Sequence, residues 1–243
     1  MTNKKILIIK LGAKGDVIRT LCILPAIKKR FPDSEILWIT KRDTSDSLIG
    51  NIYIDKIISF PCNIEESFHI IYNLDVDEEA TALAEKIKAE KKYGFYNEGG
   101  FPLPYNKGAE FYINSIFDDE LKKNNKKTYQ EIIFDVIEFS YNKEFCPIFL
   151  KNKDIKFGEK FIHENNIKNK RIIGIHMGAG PRWPSKAWHK ERVREFIKKM
   201  YEEKYLVLLF GGPDEIEEHS QLVNELKNEG IKILQNNPHN TNR

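Results

Sequence analysis

Apolar and polar positions follow one another along the chain in an order that predicts strand, helix and strand. Lys5–Lys10 is a short apolar run bounded by charges, as is typical of a strand that is covered on both faces. Val17–Phe31 has helical periodicity, and Glu35–Thr40 predicts a second strand. A strand–helix–strand unit of this kind predicts a parallel sheet.

The same alternation continues beyond this unit, with one interruption. Further strands are predicted at Lys56–Phe60, His69–Asp75, Tyr93–Tyr96, Arg171–His176, Leu206–Phe210 and Ile231–Leu234. Further helices are predicted at Asp77–Glu90, Tyr129–Tyr141, Phe157–Asn166, His189–Glu203 and Asp214–Gly230. Phe101–Lys127 is less regular, and Asn142–Lys156 is the predicted linker. We therefore predict an α/β protein with two doubly wound, Rossmann-like domains, 1–150 and 151–243.

The second predicted domain is small. Only about three strands fall in it, and an open parallel sheet of that size has an exposed edge and little core. The turn-forming segment Asn236–Asn240 follows its last strand. The domain is either unusually small or truncated, and we expect truncation.

Composition excludes some classes of protein. Lys and Arg number 39 against 36 Asp and Glu, and these charges are interspersed, so we expect no nucleic-acid partner. Cys22, Cys62 and Cys146 show no metal-ligand spacing, which favours reduced thiols in a cytoplasmic protein without a metal site. No apolar run approaches the roughly 20 residues of a membrane span.

The first candidate site is the loop between the first predicted strand and helix. Gly12 and Gly15 let the backbone approach a ligand, and the following helix N-terminus attracts negative charge. The spacing differs from G-x-G-x-x-G, which disfavours a nicotinamide dinucleotide and hence an oxidoreductase. Asp16 is either a helix N-cap or, at the ligand-binding edge of the sheet, a general base. The local pattern leaves both roles open.

Two later strand-to-helix loops carry groups that suit a nucleotide diphosphate. In the first of them two glycines, a hydroxyl and two cations could bind phosphates: Gly178, Gly180, Arg182, Ser185 and Lys186. The alternative is a structural loop anchored by Trp183 and Trp188. In the second, Gly212 precedes Asp214, a predicted helix cap, and Glu215, which could accept hydrogen bonds from a ribose. The alternative there is capping and surface acidity.

Together these three loops resemble glycosyltransferase family 9, the ADP-heptose:lipopolysaccharide heptosyltransferases. Ile6–Val17 is similar to the family's opening strand and its G-x-x-G-D loop, and Leu24–Lys28 continues the similarity. Gly178–Trp188 and Gly211–Glu215 resemble its donor-binding loops in order and spacing. The clear similarity covers roughly 4–40 and 171–234, and the middle resembles the family only in general pattern.

The resemblance implies a GT-B architecture, with an acceptor-binding first domain and a nucleotide-sugar-binding second domain. It implies an inverting transfer without metal, from a donor such as ADP-heptose to a lipopolysaccharide-type or other glycan acceptor. Asp16 would be the catalytic base, and Gly12, Lys14 and Gly15 would contact the acceptor. Ser185 and Lys186 would hold the diphosphate, with Glu215 at the ribose.

One departure keeps a second hypothesis open. The family has a later Asp-(Thr/Ser)-Gly-x-x-His motif that contributes to donor binding, and it does not occur in this sequence. The alternative function is therefore a non-catalytic nucleotide- or glycan-binding remnant of the family. The aromatic residues of Phe101–Phe117 and the Lys-rich segment after them predict either acceptor or inner-membrane contact, or core packing beside a solvated loop.

Overall fold

The computed structural model describes residues 3–179 and 184–236. The chain clusters into two compact units, Met1–Asn152 and Lys153–Arg243. Each of them is an α/β unit built on a sheet whose neighbouring strands, except for one, run parallel. The α/β class predicted from the hydrophobic pattern is confirmed.

The first unit contains a six-stranded sheet. Its strands are β1 (Lys5–Ile9), β2 (Glu35–Lys41), β3 (Lys56–Phe60), β4 (Phe68–Asn73), β5 (Ala89–Glu98) and β6 (Phe101–Pro104). Their order is β3-β2-β1-β4-β5-β6, and only β6 pairs antiparallel to its neighbour. The direction of strand progression reverses between β1 and β4, and in open α/β sheets the carboxyl ends of strands at such a point form the ligand crevice.

The central strand β1 is buried on both faces. Ile6 and Ile8 belong to one hydrophobic cluster, Leu7 and Ile9 belong to a second, and all four side chains are fully buried. This alternation follows from the pleat, which turns successive side chains to opposite faces of a sheet. The reading of the first apolar run as a doubly covered strand is therefore confirmed.

Helices cover both faces of this sheet, and several differ from the predicted bounds. They are α1 (Lys14–Thr20), α2 (Ile23–Arg30), α3 (Glu78–Lys86), α4 (Lys107–Phe117), α5 (Asp119–Asn124) and α6 (Tyr129–Val136). The single helix predicted over Val17–Phe31 is wrong. Pro25 has no N–H and clashes with the carbonyl four residues before it, so a helix can hold it only in its first turn, where α2 places it.

Two other boundary errors have local or tertiary causes. The helix predicted to reach Glu90 ends at Lys86, because pairing with β4 draws Ala89 into β5. The helix predicted to reach Tyr141 ends at Val136, since Glu138 has a positive φ of 57°. The stretch considered irregular contains β6, α4 and α5.

The second unit contains a three-stranded parallel sheet in the described residues. Its strands are β7 (Arg171–His176), β8 (Tyr205–Phe210) and β9 (Leu234–Asn236), in that order. Its helices are α7 (Asn152–Asn165), α8 (Lys190–Glu202) and α9 (Ile216–Asn228). The strand predicted at Ile231–Leu234 begins later, because the N–H of Ile231 bonds to the carbonyl of Leu226 and ends the preceding helix.

One hydrophobic cluster forms the core of the second unit. It includes Val193 and Ile197 of α8, Leu209 of β8 and Leu222 of α9, all fully buried. Among the residues that the structure describes, none of the helices is long and apolar enough to cross a membrane. In the same part of the chain, His, Cys, Asp and Glu side chains form no group of three that could hold a metal ion.

Candidate functional site

The loop after β1 is held by a carboxylate from the end of β4. Asp75 Oδ2 accepts a 2.9 Å hydrogen bond from the backbone N–H of Gly12 and a shorter one from that of Leu11. Asp75 Oδ1 lies 2.5 Å from Lys10 Nζ, which also donates to the carbonyl of Leu74 at 2.8 Å. Asp75 therefore fixes the start of the glycine loop to the crevice between β1 and β4, through the Lys10 side chain and through the backbone of Leu11 and Gly12.

Lys10 and Asp75 form an ion pair in the interior. Their side chains are only 3% and 9% exposed. Burial opposes the charge of Lys10, but the charge and the hydrogen bond of Asp75, together with the Tyr129 and Tyr112 hydroxyl groups, outweigh it and raise the pKa of Lys10 well above its usual value. Burial also raises the pKa of Asp75, against the opposing effect of Lys10 and of the Leu11 N–H. Each charge is tolerated here because the other lies beside it.

Asp16 lies within helix α1, not at its cap. The N-cap is Ala13, whose carbonyl accepts from the N–H of Asp16 at 2.8 Å, so the prediction that Asp16 caps the helix is wrong. The helix begins three residues earlier than the apolar pattern indicated. A carboxylate in the first turn is still favoured by the helix dipole. The side chain is 40% exposed, so a substrate hydroxyl can reach it.

A hydrogen-bonded group surrounds the Asp16 carboxylate. Its Oδ1 lies 2.7 Å from Arg19 Nη2, and the Arg19 guanidinium stands 3.5 Å from the ring centroid of Tyr129. The Tyr129 hydroxyl is 2.8 Å from Thr20 Oγ1, which donates to the carbonyl of Asp16. The carboxylate therefore has one charged partner, which is itself held over an aromatic face.

The three predicted acceptor residues lie in the loop and in the first turn of α1 that follows it. A Cβ at Gly12 would stand 3.3 Å from Asp16 Cβ and 3.6 Å from Asp75 Oδ1, so a larger residue would crowd the Asp16 side chain where the loop approaches both acids. A Cβ at Gly15 would meet nothing within 4 Å, so its backbone is open to a ligand. Lys14 Nζ lies 3.1 Å from an Asp46 oxygen, in a partly exposed pair.

In the second unit, Glu215 joins two of the predicted donor glycines. Its Oε2 accepts from the N–H of Gly212 at 2.7 Å, and a Cβ at Gly178 would lie 2.1 Å from its Oε1. Gly178 follows β7 and Gly212 follows β8, so the two loops meet at the carboxyl edge of the sheet. The predicted cap at Asp214 is wrong, because Gly212 precedes the short 3₁₀ turn Pro213–Glu215 and Glu215 precedes α9.

The predicted diphosphate residues fall only partly within the described chain. Ser185 and Lys186 lie on an exposed 3₁₀ turn, Pro184–Lys186. The N–H of Trp188 bonds to the carbonyl of Met177 at 3.0 Å, and its ring packs 5.2 Å from Phe196. The loop is thus anchored by Trp188 as well as exposed. Gly180 and Arg182 lie outside the described residues.

Sequence reasoning missed four participants in the first loop: Asp75, Arg19, Tyr129 and Asp46. Asp75 carried a usable signal, since an acid that ends an apolar strand of a parallel sheet faces the ligand edge. Arg19 carried one as well, because it stands three residues after Asp16 on the same helix. Asp46 and Tyr129 depend on contacts across 32 residues and, with Thr20, across 109, and no local pattern encodes these distances.

Comparison with a protein-family model gives a match to glycosyltransferase family 9 (heptosyltransferase) over residues 64–236. The matched range includes the middle of the chain, for which the motifs indicated only general similarity. It includes both loops of the second unit and Asp75. It does not include Asp16, whose role stays a prediction.

Known proteins give concordant similarities. The chain is 25% identical over 235 residues to lipopolysaccharide heptosyltransferase 1 of Campylobacter coli, covering 88% of this chain but 66% of that protein. A family 9 glycosyltransferase structure from Veillonella parvula superposes with a TM-score of 0.74 at 18% identity, covering 99% of this chain and 72% of that one. E. coli ADP-heptose lps heptosyltransferase II gives 0.59 at 16%, with 96% and 72% covered. This chain shares the fold of both structures, which confirms the predicted GT-B class.

Proposed function

The chain belongs to glycosyltransferase family 9, whose model matches more than half of it, and from this premise we propose that it transfers a heptose-like sugar from a nucleotide-sugar to a glycan acceptor. The donor we propose is ADP-heptose and the acceptor a lipopolysaccharide-type glycan. The names of the similar proteins from C. coli and E. coli support both choices. The chain spans 66% of the C. coli protein, so the activity of a whole protein is part of the proposal.

The observation that carries the proposal is the Asp16 carboxylate. It lies at the carboxyl end of β1, beside the point where the sheet order reverses, and it is partly exposed. A general base needs an unprotonated oxygen within hydrogen-bond reach of the hydroxyl that it activates. The Asp16 side chain is accessible to such a hydroxyl, and a Cβ at Gly15 would meet nothing within 4 Å, which leaves room beside it.

The proposed reaction is a single displacement. Asp16 takes the proton of the acceptor hydroxyl, and the oxygen forms a bond to the anomeric carbon of the donor sugar. The bond from that carbon to the diphosphate oxygen breaks on the opposite face, so the configuration inverts. Lys186 and Arg182 offset the charge that grows on the departing nucleoside diphosphate, and the Ser185 hydroxyl donates to it. We propose that the reaction needs no metal cofactor.

Glu215 has a second proposed role at the nucleoside. One of its oxygens already accepts from the N–H of Gly212. This contact fixes the carboxylate and leaves Oε1 able to accept from a ribose hydroxyl. Fixed acceptors of this kind select for a hydroxyl because an analogue without it leaves the carboxylate desolvated and unpaired.

The alternative is a non-catalytic nucleotide- or glycan-binding module. The ion pair between Asp16 and Arg19 favours it, because a carboxylate held by a guanidinium at 2.7 Å must exchange that partner for a substrate hydroxyl before it can act as a base. Both groups are more than a third exposed, so water screens the pair and it is weak enough to exchange.

Transfer and binding assays with one substitution separate these functions. Asp16→Asn should lower the turnover of ADP-heptose onto an acceptor glycan by at least about 100-fold. In calorimetry, the affinity for ADP should stay within about twofold, because the nucleotide residues we propose lie in the other unit. The exposed Asp33→Asn is the matched control and should retain full turnover. Undiminished turnover in Asp16→Asn would reject the base, and preference for UDP or GDP over ADP would reject the donor.

We also propose a cytoplasmic location with peripheral contact at the inner membrane. Of the aromatic stretch, Tyr105 and Tyr112 pack against other rings, whereas Phe101 and Phe117 are 66% and 64% exposed. Exposed rings followed along the chain by the lysine-rich segment Lys122–Lys127 suit an anionic interface. Co-sedimentation with anionic vesicles should fall in the variant Phe101→Ser/Phe117→Ser, and equal sedimentation of both proteins would contradict the proposal.

A further inference from the structure

The two oxygens of Asp75 have different partners. Oδ1 pairs with the Lys10 ammonium, while Oδ2 accepts the N–H groups of Leu11 and Gly12. The first contact neutralises a buried charge. The second fixes two successive peptide units of the loop that leads into α1, and it does so from a neighbouring strand. The N–H of Asp75 in turn donates to Asn73 Oδ1 at 3.3 Å, which ties the acid to the end of β4.

Gly12 stands between Asp75 and Asp16. Atoms of both carboxylates lie within 4 Å of the point where a Cβ on Gly12 would be, and the Asp16 Cβ is also close to it. A shift of the Gly12 peptide would therefore change the space that Asp16 occupies. Two acids this close would repel each other, and Lys10, beside Asp75, offsets the charge of one of them.

We propose that Asp75 is a positioning residue for glycosyl transfer: its carboxylate holds the Leu11–Gly12 backbone and thereby sets where the Asp16 carboxylate meets the acceptor hydroxyl. This inference rests on the proposed function of Asp16. Asp75 touches neither substrate in this scheme, and Lys10 serves to keep its charge in the interior. A displacement of about 1 Å at a reacting group can cost about 100-fold in rate, so a hydrogen bond to loop backbone is enough to control turnover.

A pair of double variants isolates the backbone contact from the buried charges. Lys10→Met/Asp75→Asn removes both charges and keeps a side-chain oxygen that can accept from Leu11 and Gly12. Lys10→Met/Asp75→Ala removes the same charges and the acceptor as well. We expect the turnover number of the alanine version to lie about tenfold or more below that of the asparagine version, with similar KM for ADP-heptose.

Ile36→Ala supplies the control for lost stability. Ile36 is fully buried, pairs with Ile6 at the amino end of β1, and belongs to the cluster on the face of the first sheet opposite to that of Leu11. At a temperature well below its unfolding midpoint it should keep the wild-type turnover number. If the two double variants turn over equally, or if turnover simply follows the unfolding midpoint across all three proteins, Asp75 is a structural residue only and the inference is wrong.

Amide hydrogen exchange at Leu11 and Gly12 distinguishes failure of this inference from failure of the proposed function. Both amides should exchange slowly in the wild type and the asparagine version, and at least about tenfold faster in the alanine version. Fast exchange without a change in turnover overturns the positioning role alone. Full turnover in Asp16→Asn overturns the proposed function, and with it the catalytic meaning of the Asp75 contact, whatever the exchange rates show.

Discussion

The glycine loop of the first unit and the two glycine loops of the second are supported in different ways. The loop of the first unit is held by hydrogen bonds to Asp75, which belongs to another segment of the chain, at the end of the adjacent strand. The loops after β7 and β8 are held by each other, through Glu215 beside Gly178 and Gly212. The difference fits the proposed roles, because a base must stay at one place for its chemistry, whereas loops proposed to receive a diphosphate need only to offer charge and N–H groups.

The strands that precede these loops differ in burial. Ile6–Ile9 of β1 is buried completely between two clusters, while in β7 Ile175 is the buried residue and Ile172 is 42% exposed. A loop that follows a strand packed on both faces begins at a residue whose position is fixed. Within the described residues, the loop after β7 starts from a strand with one covered face. The following four variants test this difference, in order of expected effect.

The largest loss of stability is expected from Lys10→Met. Removing one partner of a buried ion pair leaves an uncompensated charge at Asp75, which should lower the free energy of unfolding by about 3–5 kcal/mol. Urea denaturation measures it, and adding Asp75→Asn should restore part of the loss because no charge then remains. A loss below about 1 kcal/mol would mean that water reaches the pair and that the first loop is not held more firmly than the others.

A smaller and local effect is expected from Leu209→Ala in the second core. Leu209 is fully buried, and truncation of a buried leucine costs about 2–5 kcal/mol. Because the hydrophobic clusters of the two units share no residues, hydrogen exchange should accelerate in β8 and stay unchanged in β1. Leu37→Ala, equally buried in β2, should give the reverse pattern. Faster exchange of both strands in either variant would contradict separate cores.

A weaker effect is expected where the two proposed donor loops meet, from Gly178→Ala. The added Cβ would collide with Glu215 Oε1 and displace that side chain from Gly212, with little effect on folding. Loss of a charged hydrogen bond of about 1.5 kcal/mol corresponds to roughly tenfold weaker ADP binding. Gly158→Ala in α7 meets nothing within 4 Å and should stabilise the chain by about 0.5–1 kcal/mol without affecting ADP. Equal ADP affinity of both variants would remove Glu215 from the donor site.

The smallest effect is expected from Lys41→Met. Lys41 pairs with Glu79 at 3.1 Å, but both side chains are about half exposed, and such surface pairs contribute less than about 1 kcal/mol. Urea denaturation should therefore barely distinguish this variant from the wild type, in contrast to Lys10→Met. A loss as large as that of Lys10→Met would show that burial does not separate the two pairs.

The sequence predicted the parallel strands better than it predicted the helices between them. β1 and β7 are continuous apolar runs whose periodicity is read locally, and both were placed at nearly the observed residues. The predicted helix after β1 is too long because the apolar pattern continues through Pro25 without a break. Proline has no N–H and cannot stand in a helix beyond its first turn, so the chain forms two helices there. The start of β5 is not predicted because Ala89 continues a helical pattern in the sequence. In the structure, pairing with Phe68 places it in the sheet.

At the candidate site, glycines and charged residues could be read from the loops, but their partners could not. Gly12 and Glu215 stand in short motifs, whereas Arg19 is placed by Tyr129, which is distant in the sequence. The N-cap assignment of Asp16 failed because Ala13 begins the helix without a side-chain cap, so no residue signal marks that boundary. The sequence therefore predicts candidate residues that stand in local motifs, but not the partners that tertiary contacts bring to them.

The edge strand β6 has a consequence for how the protein behaves at high concentration. The N–H of Tyr105 points toward β5, since it bonds to the carbonyl of Gly94. By the alternation of a strand, Pro102 and Pro104 occupy the positions whose N–H groups would face outward, and proline has none. This edge of the sheet therefore offers too few donors to template a strand of another molecule, which disfavours edge-to-edge aggregation through β6.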